Sequence, residues 1–483
     1  LELLKTEKET LSTAEIEGFI HGHRDEVDRL SNLWAYYCAR NTKILERPRP
    51  DPNSPDNRSV LAYGRKIVTT FVGYAYRPGF VSFKADDQKS EAYVKQLQDT
   101  FDLNGEANKT SRHGRNTAIY GYSYEMLYID RGDALMVTAG NAAPAFTDKA
   151  VPRFFVADPR EVILLYDYSP EPRKQMGIRY YRITDQHYKV ELYTKAAITV
   201  WDRRREHAGA QWIYTEISSN PNFFGDIPIV AYYMGDDRLG IIEPVLSLID
   251  DYDLLISDSF NEFDRFANAY LLLKKMSLVP PDKMREPGGI SRVLRDLKRR
   301  RVFENLPDIS EPVKFLTKDV PTAFIEFMCK KVKDEIHTQS HVPDFKDMAT
   351  GTLSGAAIKR LLFDFENVVS SAEADFDDGL QERIRLMNIV YGLAGLKTDD
   401  TRAVVITHKR NLPDDLKEHA ETAGLLTNAG FSKRLVAESM PDSVVPDVDA
   451  ELAEQKQERE ESMADVDRQM TDDEDNMDDE AES

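Results

Sequence analysis

One apolar stripe of unusual length constrains this chain more than any other feature. Val245, Leu248, Ile249, Tyr252, Leu255, Ile256, Phe260, Phe263, Phe266, Ala267 and Tyr270 recur at spacings of three and four, which marks one face of an α-helix. Pro244 suits its first turn. About 30 residues at roughly 1.5 Å each predict a rod of about 45 Å, where helices average about 11–12 residues. The opposite face is acidic, with Asp250, Asp251, Asp253, Asp258, Glu262 and Asp264. Asp250 and Asp251 diverge by about 100° on a helix, and the acids continue for several turns. The face therefore reads as solvated or channel-lining rather than as a two-metal nuclease site.

LVPPDKMREPGG breaks the rod. A short, basic, strand-like stretch follows, and Arg292, Arg295, Lys298, Arg299, Arg300 and Arg301 form the one concentrated basic patch. It interrupts two helices, so it sits at a tip, as a solvated hairpin or as a docking surface for an acidic partner or DNA. The second helix starts at Pro321 and carries Phe324, Phe327, Met328, Val332 and Ile336. It ends before Val342-Pro343, because a residue before proline avoids the helical region. A third long helix is predicted from about Ala356 to Leu396. Upstream, helices are expected over 13–45 and 90–119. Between 122 and 233, short runs such as EVILLYD, GIRYYRIT and AITVWDRR predict an antiparallel β region. A short strand, RAVVITHK, and short helices over 414–439 and 447–461 complete the reading.

Between Asp442 and Ser483 stand 18 acidic and 3 basic residues, most of the net charge of −21. That segment is self-repelling and expected to be disordered, and the overall acidity argues against general nucleic-acid binding. Two cysteines far apart, Cys38 and Cys329, suggest a reducing compartment without a disulfide framework. No apolar run approaches the roughly 18–20 residues of a membrane span, so no membrane attachment is expected, and the first residues lack a signal-peptide core.

HVPDFKDMATGTLSGAAIKRLL, His341 to Leu362, has the glycines of a phosphate loop without its chemistry. Gly351 and Gly355 are four apart, and Ala356 stands where the lysine belongs. His337 and His341 share a helical face but lack the HExxH glutamate and a third ligand. Asp130-Arg131-Gly132-Asp133 reads as a turn, and Cys329 as a packing residue. The reading assigns no catalytic residue, no metal and no cofactor.

Five stretches, in order, resemble tailed-bacteriophage portal proteins of the siphophage type. They are YGRKIVTTFVGYAYRPGFVSF, GYSYEMLYID with FFVADPREVILLYD, FFGDIPIVAYYMGDDRLGIIEPVLSLIDDYDLLISDSFNEFDRFANAYLLL, the HVPDFKDMATGTLSGAAIKRLL stretch, and GFSKRLVAESMPDSVVPDVDAELAEQKQE. The resemblance runs from about residue 25 to 460. It implies an α+β portal fold, with an α/β wing, long-helix stem, small α/β clip and helical crown, assembled as a ring of about twelve subunits around a channel. It places the wing at 1–240, stem helices at 241–273 and 321–341, and the clip at 274–320. A tunnel loop falls at 342–355, a long wing helix and strand at 356–410, the crown at 411–460 and an acidic tail at 461–483.

The implied function is packaging and ejection of double-stranded DNA at the capsid vertex of a virion assembled in the host cytoplasm. The implied partners are further copies of the chain, DNA, the terminase large subunit, head-completion or adaptor protein, and major capsid and scaffolding proteins. The ATPase would be a separate polypeptide. Pro343, Asp344, Phe345, Lys346, Asp347, Thr350, Gly351, Thr352, Ser354 and Gly355 would form the loop facing DNA, with the two glycines as hinges and Ser354 as a helix cap. The six basic residues of 292–301 would dock the motor. Acids in the channel wall would repel phosphate. The rival reading is a DNA-processing enzyme, a nuclease or nucleotide-binding motor subunit.

Overall fold

Helices and Tyr- and Val-rich strands fill the N-terminal half. The computed structural model describes all residues except 1–2, 50–53, 130–150, 268–269, 275–301, 307–312, 317–321, 346–359, 361, 411–415, 441–443, 446–447, 449 and 460–483. The chain divides into two units. Unit 1 is Leu1–Phe345 with Phe363–Arg410, and unit 2 is Lys346–Leu362 with Asn411–Ser483.

In unit 1, α1 (Thr13–Gly22) starts at a capping box in which Ser12 and Glu15 satisfy each other's backbone N–H. Helices α2 (Arg24–Tyr37), α3 (Thr42–Leu45) and α4 (Tyr63–Ala75) follow. The helical stretch expected over 90–119 is two helices, α5 (Glu91–Asn104) and α6 (Glu106–Tyr120). They are divided at Gly105, whose φ of +62° suits a residue without a Cβ.

The β region is antiparallel, as its short Tyr- and Val-rich runs between turn residues predict. Strand β2 (Tyr122–Ile129) lies between β3 (Pro152–Ala157) and β9 (Ile229–Tyr233). Strands β4 (Val162–Tyr166), β5 (Lys174–Thr184), β6 (His187–Tyr193), β7 (Ala197–Arg204) and β8 (Ile213–Pro221) form a meander in chain order. β1 (Val81–Ala85) pairs with β13 (Val404–His408), joining distant parts of the sequence.

The long stripe forms α7 (Leu246–Ala267), 22 residues rather than about 30. Tyr270, expected on the helix, opens β10 (Tyr270–Lys274), which pairs with β11 (Val302–Leu306) and β12 (Val313–Leu316). A short apolar run such as Tyr-Leu-Leu-Leu fits helix or strand equally, and pairing decides it. Helix α8 (Thr322–Gln339) packs against α7. Tyr63 touches Tyr252 and His337, while Tyr270 pairs with Leu316 beyond the other ends. The two helices therefore run antiparallel.

Helix α9 (Phe363–Ala394), 32 residues long, is the axis of the unit 1 core. Phe365, Val369, Phe376, Leu380, Ile384, Met387 and Val390 are buried along it, and it packs on β9. Gly379 sets that approach. A Cβ there would lie 2.5 Å from the Tyr232 ring and 3.1 Å from the Ala231 carbonyl oxygen.

One turn on, Arg383 is wholly buried. Its guanidinium donates to both Glu125 carboxylate oxygens at 2.7 and 2.9 Å and to Glu106 at 2.8 Å. Tyr232 and His113 also engage Glu125, at 3.1 Å each. Burial alone would raise the Glu125 carboxyl, but Arg383 and His113 hold it down at about 2. This cluster ties α6, β2, β9 and α9 to one point.

A strap binds α7 along its length. Tyr36 and Lys43 reach Asp250, each at 2.7 Å. Asn41 and the Leu61 N–H donate to the two oxygens of Asp253, at 2.6 and 2.8 Å. Farther along, the Ser59 N–H donates to Ser257, Arg47 to Asp258, and Asn57 to Asn261 and Asp264. Positions 250, 253, 257, 261 and 264 share one helical face. Burial pushes the Asp253 carboxyl up to about 6, and Asp250 adds to the effect against the two donors.

In unit 2, α10 (Leu416–Asn428) and α11 (Lys433–Glu438) are described, the latter capped by Ser432. No helix among the described residues is long and apolar enough to cross a membrane.

Two measurements check these contacts. All three tryptophans, Trp34, Trp201 and Trp212, lie in unit 1, so their emission reports its unfolding. Arg383→Met leaves Glu125 buried without its cation and should cost about 3–5 kcal/mol in urea unfolding. Adding Glu106→Gln and Glu125→Gln should recover part of that loss. Second, a carboxyl whose folded pKa exceeds its unfolded value of 3.8 binds its proton more tightly when folded. Its contribution is greatest at low pH and is lost as pH rises through about 6. The stability difference between wild type and Asp253→Asn should therefore shift toward wild type between pH 7 and 5. A pH-independent difference would refute the assignment.

Candidate functional site

Helix α8 stops at Gln339 by a local mechanism. Ser340 and His341 bond back to Ile336 and Thr338, His341 adopts φ +56°, and Pro343 bars the helical region to Val342. Val342 is buried, and its carbonyl accepts from His337 Nδ1 at 2.8 Å. The turn delivers Asp344 into a pocket of cations. Lys66 of α4 lies 3.0 Å from one carboxylate oxygen and Lys333 of α8 lies 2.8 Å from the other. His337 Nε2 is 3.8 Å away. The Asp344 side chain is only 6% exposed. Burial pushes the His337 imidazole below its usual range, and Lys66 adds to this against the pull of Val342 and Asp344. A neutral ring donating from Nδ1 presents Nε2 as an acceptor toward Lys66, 3.4 Å away. After Phe345 the chain passes from unit 1 into unit 2.

A second charged cluster stands where the chain leaves unit 1 again, at Arg410. Its guanidinium bonds Glu373 with two nitrogens, each at 2.6 Å, and reaches Glu366 at 2.7 Å. Both glutamates lie on α9. Tyr74 of α4 donates to Glu366 at 2.6 Å, and Phe365 packs on Tyr74 and Phe71. His408 sits between Glu373, at 3.2 Å, and Asp377, at 2.8 Å. Burial alone would lower its pKa, but the two carboxylates outweigh burial and raise it.

Of the residues read as a DNA-facing loop, Pro343, Asp344 and Phe345 are described. Asp344 is buried in its ion pairs, while Phe345 is exposed. Lys346, Asp347, Thr350, Gly351, Thr352, Ser354 and Gly355 lie outside the described residues, as do Arg292, Arg295, Lys298, Arg299, Arg300, Arg301 and the Asp130–Asp133 turn. His337 and His341 do not converge, since the first is buried against Val342 and the second is exposed. Cys329 is half-buried.

The acidic face of α7 is covered only in part: Asp250, Asp253 and Asp264 are bonded to the strap, whereas Asp251 and Asp258 stay exposed, Asp258 while bonded to Arg47. Exposed apolar residues also stand on these helices. Leu254, Phe260 and Phe263 of α7, which point to different sides of the helix, and Phe324 and Phe327 of α8 are exposed, Phe263 by 66% and Phe327 by 62%. Counting acids along a helix finds a polar face but not its covering. Sequence alone does not mark Lys66, Lys333 and Arg410, because their partners lie far off in sequence or carry no motif. The signal present was the acid directly after Val-Pro.

No curated protein matches the chain. A solved structure described as "Neck of empty GTA particle computed with C6 symmetry" contains a chain 13% identical, with a TM-score of 0.39, over 83% of this chain and 90% of that one. Residues 16–465 match the family described as phage portal protein, SPP1 Gp6-like. That match spans nearly the whole sequence, including both charged clusters and the antiparallel helix pair, and the chain belongs to the phage portal protein family.

Proposed function

We propose that this portal protein works as one subunit of a ring of about twelve, set at the capsid vertex, through which double-stranded DNA enters and leaves. The observation that carries the ring is the apolar exposure of α7 and α8. Four exposed phenylalanines on two adjacent helices are the kind of apolar exposure that marks a protein contact. In a closed ring the apolar face of one copy would lie against the next, each contact head-to-tail. On this reading 241–273 and 321–341 are the stem, 274–320 the clip and 411–460 the crown.

The remaining partners are those that the resemblance to portal proteins suggests. The clip, with its basic residues 292–301, would dock the terminase large subunit and later the head-completion protein. The segment 342–355 would meet the passing duplex, with Lys346 touching phosphate and Gly351 and Gly355 supplying backbone freedom. No specific observation favours the enzymatic reading, and the family is structural.

Two tests address the two halves of the proposal. Replacing Phe260 and Phe263, or Phe324 and Phe327, with serine should weaken subunit association at least tenfold per phenylalanine lost. Light scattering would show rings giving way to smaller species, while tryptophan emission stays native. Rings that persist at micromolar concentration with all four replaced would refute the assigned contact. For the loop, valine at Gly351 and Gly355 should leave rings intact and abolish packaging of nuclease-protected DNA. Wild-type packaging would remove the loop from the mechanism.

A further inference from the structure

The chain crosses out of unit 1 after Phe345, re-enters at Phe363 and leaves again after Arg410. At both exits the last or next-to-last residue is charged and held by two opposite charges. Asp344 is held by Lys66 and Lys333, and Arg410 by Glu366 and Glu373. The re-entry is joined to the second exit, since Glu366 and Phe365 stand within the first turn after Phe363. Both clusters are seated on α4, one through Lys66 and the other through Tyr74, two helical turns apart. We propose that Asp344 and Arg410 are positioning residues, two roots of opposite sign that fix on α4 and its neighbours the points from which the loop segment and the C-terminal segment depart.

The geometry suits this task. Each root is held at two points, so neither can slide without losing a bond. Asp344 links two helices, α4 and α8, and Arg410 ties the end of the β13 segment to two positions of α9 seven residues apart. The Asp344 carboxylate and the Glu373 side chain are nearly buried, at 6% and 8% exposed. Salt therefore screens these pairs less than it screens surface pairs. Charge-assisted bonds are also directional, so they set an exit direction as well as a position. His337 closes the first root from below, bonding Val342 with one nitrogen and facing Lys66 with the other. The role of Asp344 in DNA passage rests on the reading of 342–355 as the loop that meets DNA, whereas the roots themselves do not.

Hydrogen exchange read by mass spectrometry on the full-length assembled protein tests the proposal. Asp344→Asn should raise exchange in peptides covering 340–345 by about tenfold or more and leave 404–410 unchanged. Arg410→Met should do the reverse, and Arg410→Lys should restore part of the protection. Tryptophan emission and ring size should stay wild-type in all three. Unchanged exchange at the altered root overturns the proposal. So does loosening of both roots together, or failure to fold, either of which would assign the residue to general stability. Packaged DNA, measured in parallel, separates this from the loop's role. Faster exchange at 340–345 with normal packaging keeps the root and rejects the loop's contact with DNA.

Discussion

A fully buried guanidinium sets the frame of unit 1. Arg383 cannot shed its charge, so its position inside the core is tolerated only where carboxylates meet it with good geometry. Glu125 on β2 and Glu106 on α6 supply them, and Tyr232 on β9 completes the shell. Any shift of α9 along its axis would break several of these bonds at once. That matters because α9 also carries Glu366 and Glu373, the acceptors for Arg410. The same helix carries Gly379, which lets the backbone come down on β9. The register of α9 in the core thus decides where the second exit stands.

Helix α7 shows how tertiary partners reassign a helix face. Its sequence is amphipathic in the ordinary sense, with apolar residues on one side and acids on the other. In a lone helix the acids would face water. Here the strap of 36–61 brings hydroxyl, amide, guanidinium and backbone N–H donors to them, and Asp253 is buried as a result. The helix then has Asp250, Asp253 and Asp264 bonded to the strap, while Asp251, Asp258, Phe260 and Phe263 stay exposed. Exposed phenylalanines invite association.

Much of the fold was legible in the sequence because it is local. The β meander follows from short Tyr- and Val-rich runs between turn residues, and the stop of α8 from Val342-Pro343. The early end of α7 was not legible, since Tyr270–Lys274 became a strand through pairing with residues about thirty to forty-six positions away. The strap was invisible for the same reason. Nothing in ERPRPDPNSPDNRS announces that Arg47 and Asn57 will lie on Asp258 and Asp264. Asp344 was legible as part of the loop motif, but its two lysines were not. Lys66 is remote in sequence, and Lys333 is one of several basic residues on α8.

The division of labour between charge and apolar surface has a physical logic. A buried ion pair adds little net stability over an apolar contact of the same volume, yet losing one partner is costly. Such pairs therefore select one arrangement more than they strengthen it. Apolar contact has the opposite character, being strong in proportion to area and indifferent to small displacements. Unit 1 places ion pairs at Asp344 and Arg410, where departing segments need a fixed origin, and leaves phenylalanines on α7 and α8. In the proposed ring, neighbouring subunits could then adjust against one another by sliding along the phenylalanine face. The origins of the loop and of the C-terminal segment would stay tied to α4 while they did so.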